Sequence, residues 1–278
     1  MFHLDFMVQA MVVSLIIGFL LSYLGVHVVG RGIVFVDLAL GQISSLGVAF
    51  SDYMDYGKTS IPIIFTLVGA FLMSLIRIRD NRLKLEAMIG IIYAVASAVT
   101  VLLISKTPHG DSDIQEVLFG NILAVSWEQI TTIGIVFGII ALLHLVFYKK
   151  FFGLTKSFEE GRADKIKWFS LWNFLFYTSI GLAIVFAVRT SGVIPVFSYL
   201  IIPSVSAILL FKNNTFMIVV ATAISVLGGF LGLYFSFSYD FPAGSSIVAA
   251  LGAIFIIAAL INLMRKGASE KEVSKKEE

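Results

Sequence analysis

Asp37 and Gln42 stand five residues apart in the stretch RGIVFVDLALGQISSLGVAFS, and Ser45 follows three residues later. A carboxylate, an amide oxygen and a hydroxyl are hard oxygen donors. Together they can replace part of the water shell of a divalent cation while binding it weakly enough to let it go. Asp37 carries the charge and is the first candidate metal ligand. A second group, His109, Asp111, Asp113 and Glu116, joins an imidazole to three carboxylates within TPHGDSDIQEV, donors that suit first-row metals. His109 is the candidate ligand there, and a solvated acidic loop explains the same residues. Two of the five prolines, Pro195 and Pro203, fall within SGVIPVFSYLIIPS. Each removes a backbone N–H and frees a carbonyl one turn earlier.

Enzyme chemistry finds no footing. The chain has no cysteine, hence no thiolate nucleophile, zinc ribbon or disulfide framework. The four histidines are isolated along the chain, and neither G-x-S-x-G nor H-E-x-x-H occurs. Gly57-Lys58-Thr59 resembles the end of a phosphate-binding loop, but the position that requires glycine, five before Gly57, is Asp52. The chain is therefore read as no enzyme, with neither an ATP site nor a bound cofactor. A net charge of +2 is too small to suggest nucleic acid.

What must position these residues is a bundle of membrane helices. Of the 278 residues, 58% are apolar and 14% charged, against about 25% charged in a soluble domain. The mean hydropathy is +0.96. A helix needs about 20 apolar residues to cross ~30 Å of hydrocarbon. Such runs fall near 8–29, 33–53, 60–76, 85–105, 129–148, 168–188, 192–211, 214–236 and 243–264. Only the segment Arg189 to Gly192 parts the sixth from the seventh, so eight spans is the alternative to nine. The fold class is all-α integral membrane, a polytopic bundle of about 8–9 transmembrane helices over residues 1–266. The polar, mixed-charge stretch 267–278 reads as a disordered cytoplasmic tail. The first apolar run reads as a retained span, because Met1 to Met7 holds no Lys or Arg and no clear cleavage site follows.

Short cytoplasmic loops hold an excess of Lys and Arg. With the N-terminus outside and the C-terminus cytoplasmic, only Lys58, Lys106 and Arg189 of the 20 basic residues face outward. Within the spans, Gly134 and Gly138, and Gly228 and Gly232, stand four apart, a spacing that lets helix backbones approach closely. Pro-interrupted spans point to a transport path, with a simple kink as the other reading. Asp37 lies near the start of the second span, either lining such a path or solvated at the interface.

Three segments, in order, resemble the permease subunit of bacterial ATP-binding-cassette importers for zinc, manganese or iron. They are RGIVFVDLALGQISSLGVAFS at 31–51, VLFGNILAVSWEQI at 117–130, and SGVIPVFSYLIIPSVSA with the later YDFPAGSSIVA. FVDLALGQ and KTPHG are similar to a variant branch of that family. The resemblance implies a permease in a bacterial cytoplasmic membrane that works as a homodimer. Its partners would be two cytoplasmic ATPase subunits, which hydrolyse the ATP, and an extracytoplasmic metal-binding protein. The implied cargo is a divalent metal, zinc first, with manganese or iron as alternatives. Asp37, Gln42, Ser45, Pro195 and Pro203 would line the path. The inner loop FGLTKSFEEGRADKIKW would meet the ATPase through Ser157, Glu159, Glu160 and Gly161, with Ser157 capping a short helix. The family's second span commonly carries an Asp and, four residues on, a His, which here are Leu38 and Gln42. Asp37 is displaced by one residue, about 100° around a helix. That departure leaves room for a permease of similar architecture carrying a metal chelate. A stand-alone secondary carrier is the third class, although it would call for inverted repeats.

Overall fold

The computed structural model describes residues 4–76, 85–105, 121–162 and 170–277, with side chains as far as Arg265. All regular structure among them is helical. The helices are α1 (Asp5–Gly30), α2 (Val36–Met54), α3 (Ser60–Leu75), α4 (Leu85–Ile104), α5 (Trp127–Val146), α6 (Tyr148–Glu159), α7 (Leu171–Ser191), α8 (Val193–Leu210), α9 (Asn214–Tyr239) and α10 (Ala243–Glu277). Every expected span has its helix. Seven of the described helices are long and apolar enough to cross a membrane. The two others are α3, with 16 residues, and α2, whose apolar run is interrupted by Asp37, Gln42 and three serines.

Local sequence sets where the helices begin and end. Ser126 and Gln129 form a reciprocal capping box at the start of α5, satisfying two otherwise orphaned amides. Ser170 accepts from the Asn173 amide at the start of α7, and Asn213 accepts from the Thr215 and Phe216 amides at the start of α9. The family-like YDFPAG element is punctuation: Asp240 closes α9 in the left-handed region, and Pro242 directly precedes α10.

The question of eight or nine spans turns on Gly192. This one residue joins α7 to α8, with φ 79° and ψ 166°, a conformation open to glycine alone. The short separator is thus a sharp reversal between two full helices. Contacts then fix the alternation. Ser74 and Asn173 meet at one end of α3 and α7, and Lys58 and Arg189 at the other. Ser22 meets Thr222, and positions 14 and 229 approach each other, so α1 and α9 are antiparallel. Gly228 lies against Leu251 and Gly232 against Ile247, pairing α9 with α10 in the same way. One end of the bundle consequently collects Arg31, Lys149, Lys150, Lys212 and Arg265, and is called the basic end below.

The glycine pairs behave differently from one another. A Cβ on Gly228 or Gly232 would collide with α10, as the four-residue spacing predicts. A Cβ on Gly138 would meet nothing within 4 Å, and one on Gly134 only Ile16 at 3.9 Å. That second pair packs against no helix. Backbone approaches also occur at Gly25, which lies against the Leu200 carbonyl of α8, and at Gly47, where a Cβ would stand 2.7 Å from the Pro62 Cα of α3.

Two expectations change. Pro195 sits in the first turn of α8, where no intrahelical N–H bond is lost, so it breaks nothing. Pro203 is interior, yet α8 continues through it as one helix. The last helix also runs on to Glu277 through the segment expected to be disordered, although the span proper ends at Arg265. Glu, Lys and Ala are favourable helix formers, so local preference favours extending the helix there.

Candidate functional site

Asp37 is 2% exposed, and no side chain among the described residues hydrogen-bonds its carboxylate. The backbone amides of its own first turn, those of Asp37 and Leu38, face it. The positive end of the helix dipole eases a carboxylate there by less than ~1 kcal/mol. Its depth follows from Gly41 one turn later, whose Cβ would rest 3.7 Å from Ile184 and 3.9 Å from Val188 of α7. Asp37 is therefore about 6 Å nearer the basic end than that contact, by the helical rise, in the first turn of α2. The solvated-interface alternative does not describe this carboxylate. At the bilayer centre a charge costs roughly 3 kcal/mol on insertion scales.

Its neighbours are only partly those expected. Asp37, Gly41 and Ser44 lie at i, i+4 and i+7 and share one face of α2. Gln42 is about 140° away around the axis. Gln42 and Ser45, three apart, share a second face, and both are buried. The Ser45 hydroxyl donates back to the Gly41 carbonyl at 3.0 Å. Asp37 and Gln42 therefore do not form a pair, whereas Ser44, which sequence reasoning did not single out, lies on the face of the acid. Pro195 and Pro203 are both buried on α8. His109 and its acidic neighbours lie outside the described residues. Among the described residues no three His, Asp or Glu side chains cluster as a metal site.

A larger polar cluster at the basic end had no sequence warning beyond helical spacing. Tyr23, His27 and Arg31 recur every four residues along α1, and α6 folds over them. His27 Nδ1 and Thr155 Oγ1 are 2.9 Å apart, and Arg31 Nε donates to the same hydroxyl at 3.1 Å. Arg31 also donates to Asn173 Oδ1 at 3.3 Å, and Asn173 donates to the Ser74 carbonyl. The guanidinium stands 3.3 Å over the Phe176 ring. His144 of α5 reaches Tyr23 at 3.2 Å and stacks on Phe151. Arg31 is 6% exposed and makes no ion pair with a described carboxylate. Burial pushes its pKa down to about 9, with Tyr177 and Tyr23 opposing, so it stays charged at neutral pH. This chain of contacts fastens α6 to α1 and α7, and through Asn173 to α3.

The proposed coupling residues close α6. Ser157 does not begin a helix: it lies in the last turn and donates to the Gly153 carbonyl at 3.0 Å. The amides of Gly161 and Arg162 bond back to the Phe158 and Ser157 carbonyls, with Gly161 at φ 66°, which is a Schellman ending. Glu159 and Glu160 are exposed just before it. Glu159 leans on the Cα of Gly30, and Glu160 pairs with Arg162 and with Lys156.

Such a molecule, a multi-span bundle with a buried acid in the first turn of one helix and an amphipathic helix clamped across one end, is a polytopic membrane permease. The chain belongs to the ABC 3 transport family, whose model matches residues 3–262. It is 30% identical over 261 residues to the manganese transport system membrane protein MntC of Listeria monocytogenes, covering 92% of this chain and 90% of that one. It is 26% identical over 271 residues to a probable iron transport system membrane protein of Haemophilus influenzae, covering 94% and 92%. Among solved structures it resembles a chain of PsaBC from Streptococcus pneumoniae in complex with Fab, with a TM-score of 0.77, 25% identity and coverage of 92% and 91%. The resemblance read from the three motifs is borne out, and so is the helical membrane fold.

Proposed function

We propose that this protein is the membrane permease of an ATP-driven importer for a divalent transition-metal ion. Manganese and ferrous iron come ahead of the zinc placed first on sequence grounds. The relatives carry manganese and iron in their names, and the oxygen donors of α2 suit those harder ions better than zinc, which favours imidazole and thiolate. The observation that carries the reading is Asp37, a carboxylate buried in the first turn of α2 with no side-chain partner among the described residues. An intramembrane acid of this kind is costly to keep and marks an ion pathway. Ser44 and Ser45 add hydroxyls on the same helix, while α8 with Pro195 and Pro203 stands as the opposite wall. ATP is hydrolysed by separate cytoplasmic subunits that meet the end of α6 at Glu159, Glu160 and Gly161. A second copy of the permease and an extracytoplasmic binding protein complete the importer. The basic end faces the cytoplasm and the N-terminus faces outward, following the positive-inside rule.

The test is uptake by the whole importer, co-expressed with its ATPase and binding protein and reconstituted in proteoliposomes. ATP-dependent accumulation of radioactive manganese or ferrous iron above zinc is expected. Accumulation of zinc alone, or of no free metal ion, would overturn the cargo assignment.

A further inference from the structure

A groove of about 930 Å³ runs between α1, α5 and α9 from the basic end. On α9 it extends from Asn214 to Thr222, roughly 12 Å at 1.5 Å per residue, close to half the ~30 Å hydrocarbon core. It exists because Gly134 and Gly138 turn an unfilled face of α5 towards it. Its polarity is graded. Tyr23, His144, Tyr148, Asn214 and Thr215 line the end at the basic side, and the rest is apolar apart from Thr222. His144 Nε2 is buried and has no hydrogen-bond partner. No carboxylate is among the described residues that line the groove. Three exposed lysines flank its mouth: Lys149 and Lys150 at the start of α6, and Lys212 just before α9. None of them is in an ion pair with a described residue.

A cation site is excluded at this end by the permanent charge of Arg31 within the same cluster. A groove that is apolar along half the membrane depth, polar at one end and flanked by free cations matches one kind of occupant. We propose that it seats an acyl chain of an anionic phospholipid of the cytoplasmic leaflet, with the lipid phosphate held by Lys149, Lys150 and Lys212. Each lysine near a membrane surface adds about 1 kcal/mol of attraction for anionic lipid. The leaflet assignment rests on the orientation proposed above, whereas the groove and its charge do not.

The experiment is native mass spectrometry of the permease released from nanodiscs containing equal phosphatidylglycerol and phosphatidylcholine. Wild type is expected to retain phosphatidylglycerol in at least about tenfold excess, and K149E/K150E/K212E to lose that excess. Gly138→Leu fills open space without a collision and is expected to lower retention of both lipids while the protein still elutes as folded. Equal retention of the two lipids by wild type, or unchanged retention in both variants, overturns the proposal. So does efficient disulfide-linked dimer formation by Gly138→Cys in membranes, which would place a second copy over the groove. Labelling of Lys212→Cys from outside intact cells would overturn the orientation and the leaflet assignment. Loss of the phosphatidylglycerol excess with that cysteine shielded overturns the lipid site alone.

Discussion

Asp37 is a residue whose cost is easy to state and whose benefit lies outside packing. Asp37→Asn removes the charge with little change of shape, and no side-chain hydrogen bond to a described residue is lost. Metal uptake should fall at least about tenfold, or ~1.4 kcal/mol at the barrier, while the melting temperature holds or rises as a buried charge disappears. Uptake equal to wild type would remove Asp37 from the path. Gln42→His alone should leave metal preference unchanged, since position 42 looks about 140° away from Asp37. Leu38→Asp with Gln42→His, four residues apart on one face, should shift competitive uptake towards zinc. Thr155 is the opposite kind of residue. Its hydroxyl serves both His27 and Arg31, so Thr155→Val leaves buried polar atoms without a partner, at about 1–3 kcal/mol. Faster hydrogen exchange confined to α6 is the expected reading.

Among the helices, the glycines separate real contacts from spacing. Gly232→Leu must push into the backbone of α10 at Ile247 and should destabilise the bundle by several kcal/mol, at the upper end for overpacking. Gly138→Leu, with nothing within 4 Å, should leave the melting temperature within a few degrees of wild type. The identical four-residue spacing of the two pairs makes this a direct comparison. If both variants melt alike, the α9–α10 contact is not as close as described. The amphipathic helix α6 is the element with least membrane character and the most connections at the basic end, which suits a part that relays motion. Replacing Glu159 and Glu160 together by alanine touches exposed side chains alone. It should leave the permease inserted while lowering ATPase stimulation in the assembled importer, and undiminished stimulation would move the contact elsewhere.

For the whole molecule the sharpest expectation is orientation. The alternation of helices places Lys58 and Lys156 at opposite ends, and the cysteine-free chain gives a clean background. Lys58→Cys should react with an impermeant thiol reagent in intact cells, and Lys156→Cys should react after permeabilisation alone. The reverse pattern would invert the topology.

The apolar helices, the clustering of basic residues and the family were legible in the sequence, because each is a linear property: run length, basic residues between runs, and ordered motifs. The absence of cysteine also excluded a thiolate nucleophile in this chain. Tertiary structure decided which residues meet. Spacing alone could not tell Gly228 and Gly232, pressed on α10, from Gly134 and Gly138, facing open space, because contact depends on which neighbour stands opposite. It could not show that Asp37 is buried, since that depends on which helices stand against α2. Nor could it gather Tyr23, His27, Arg31, His144, Thr155 and Asn173. Those residues come from four helices, and only the packing of α6 across α1, α5 and α7 brings them into one buried cluster.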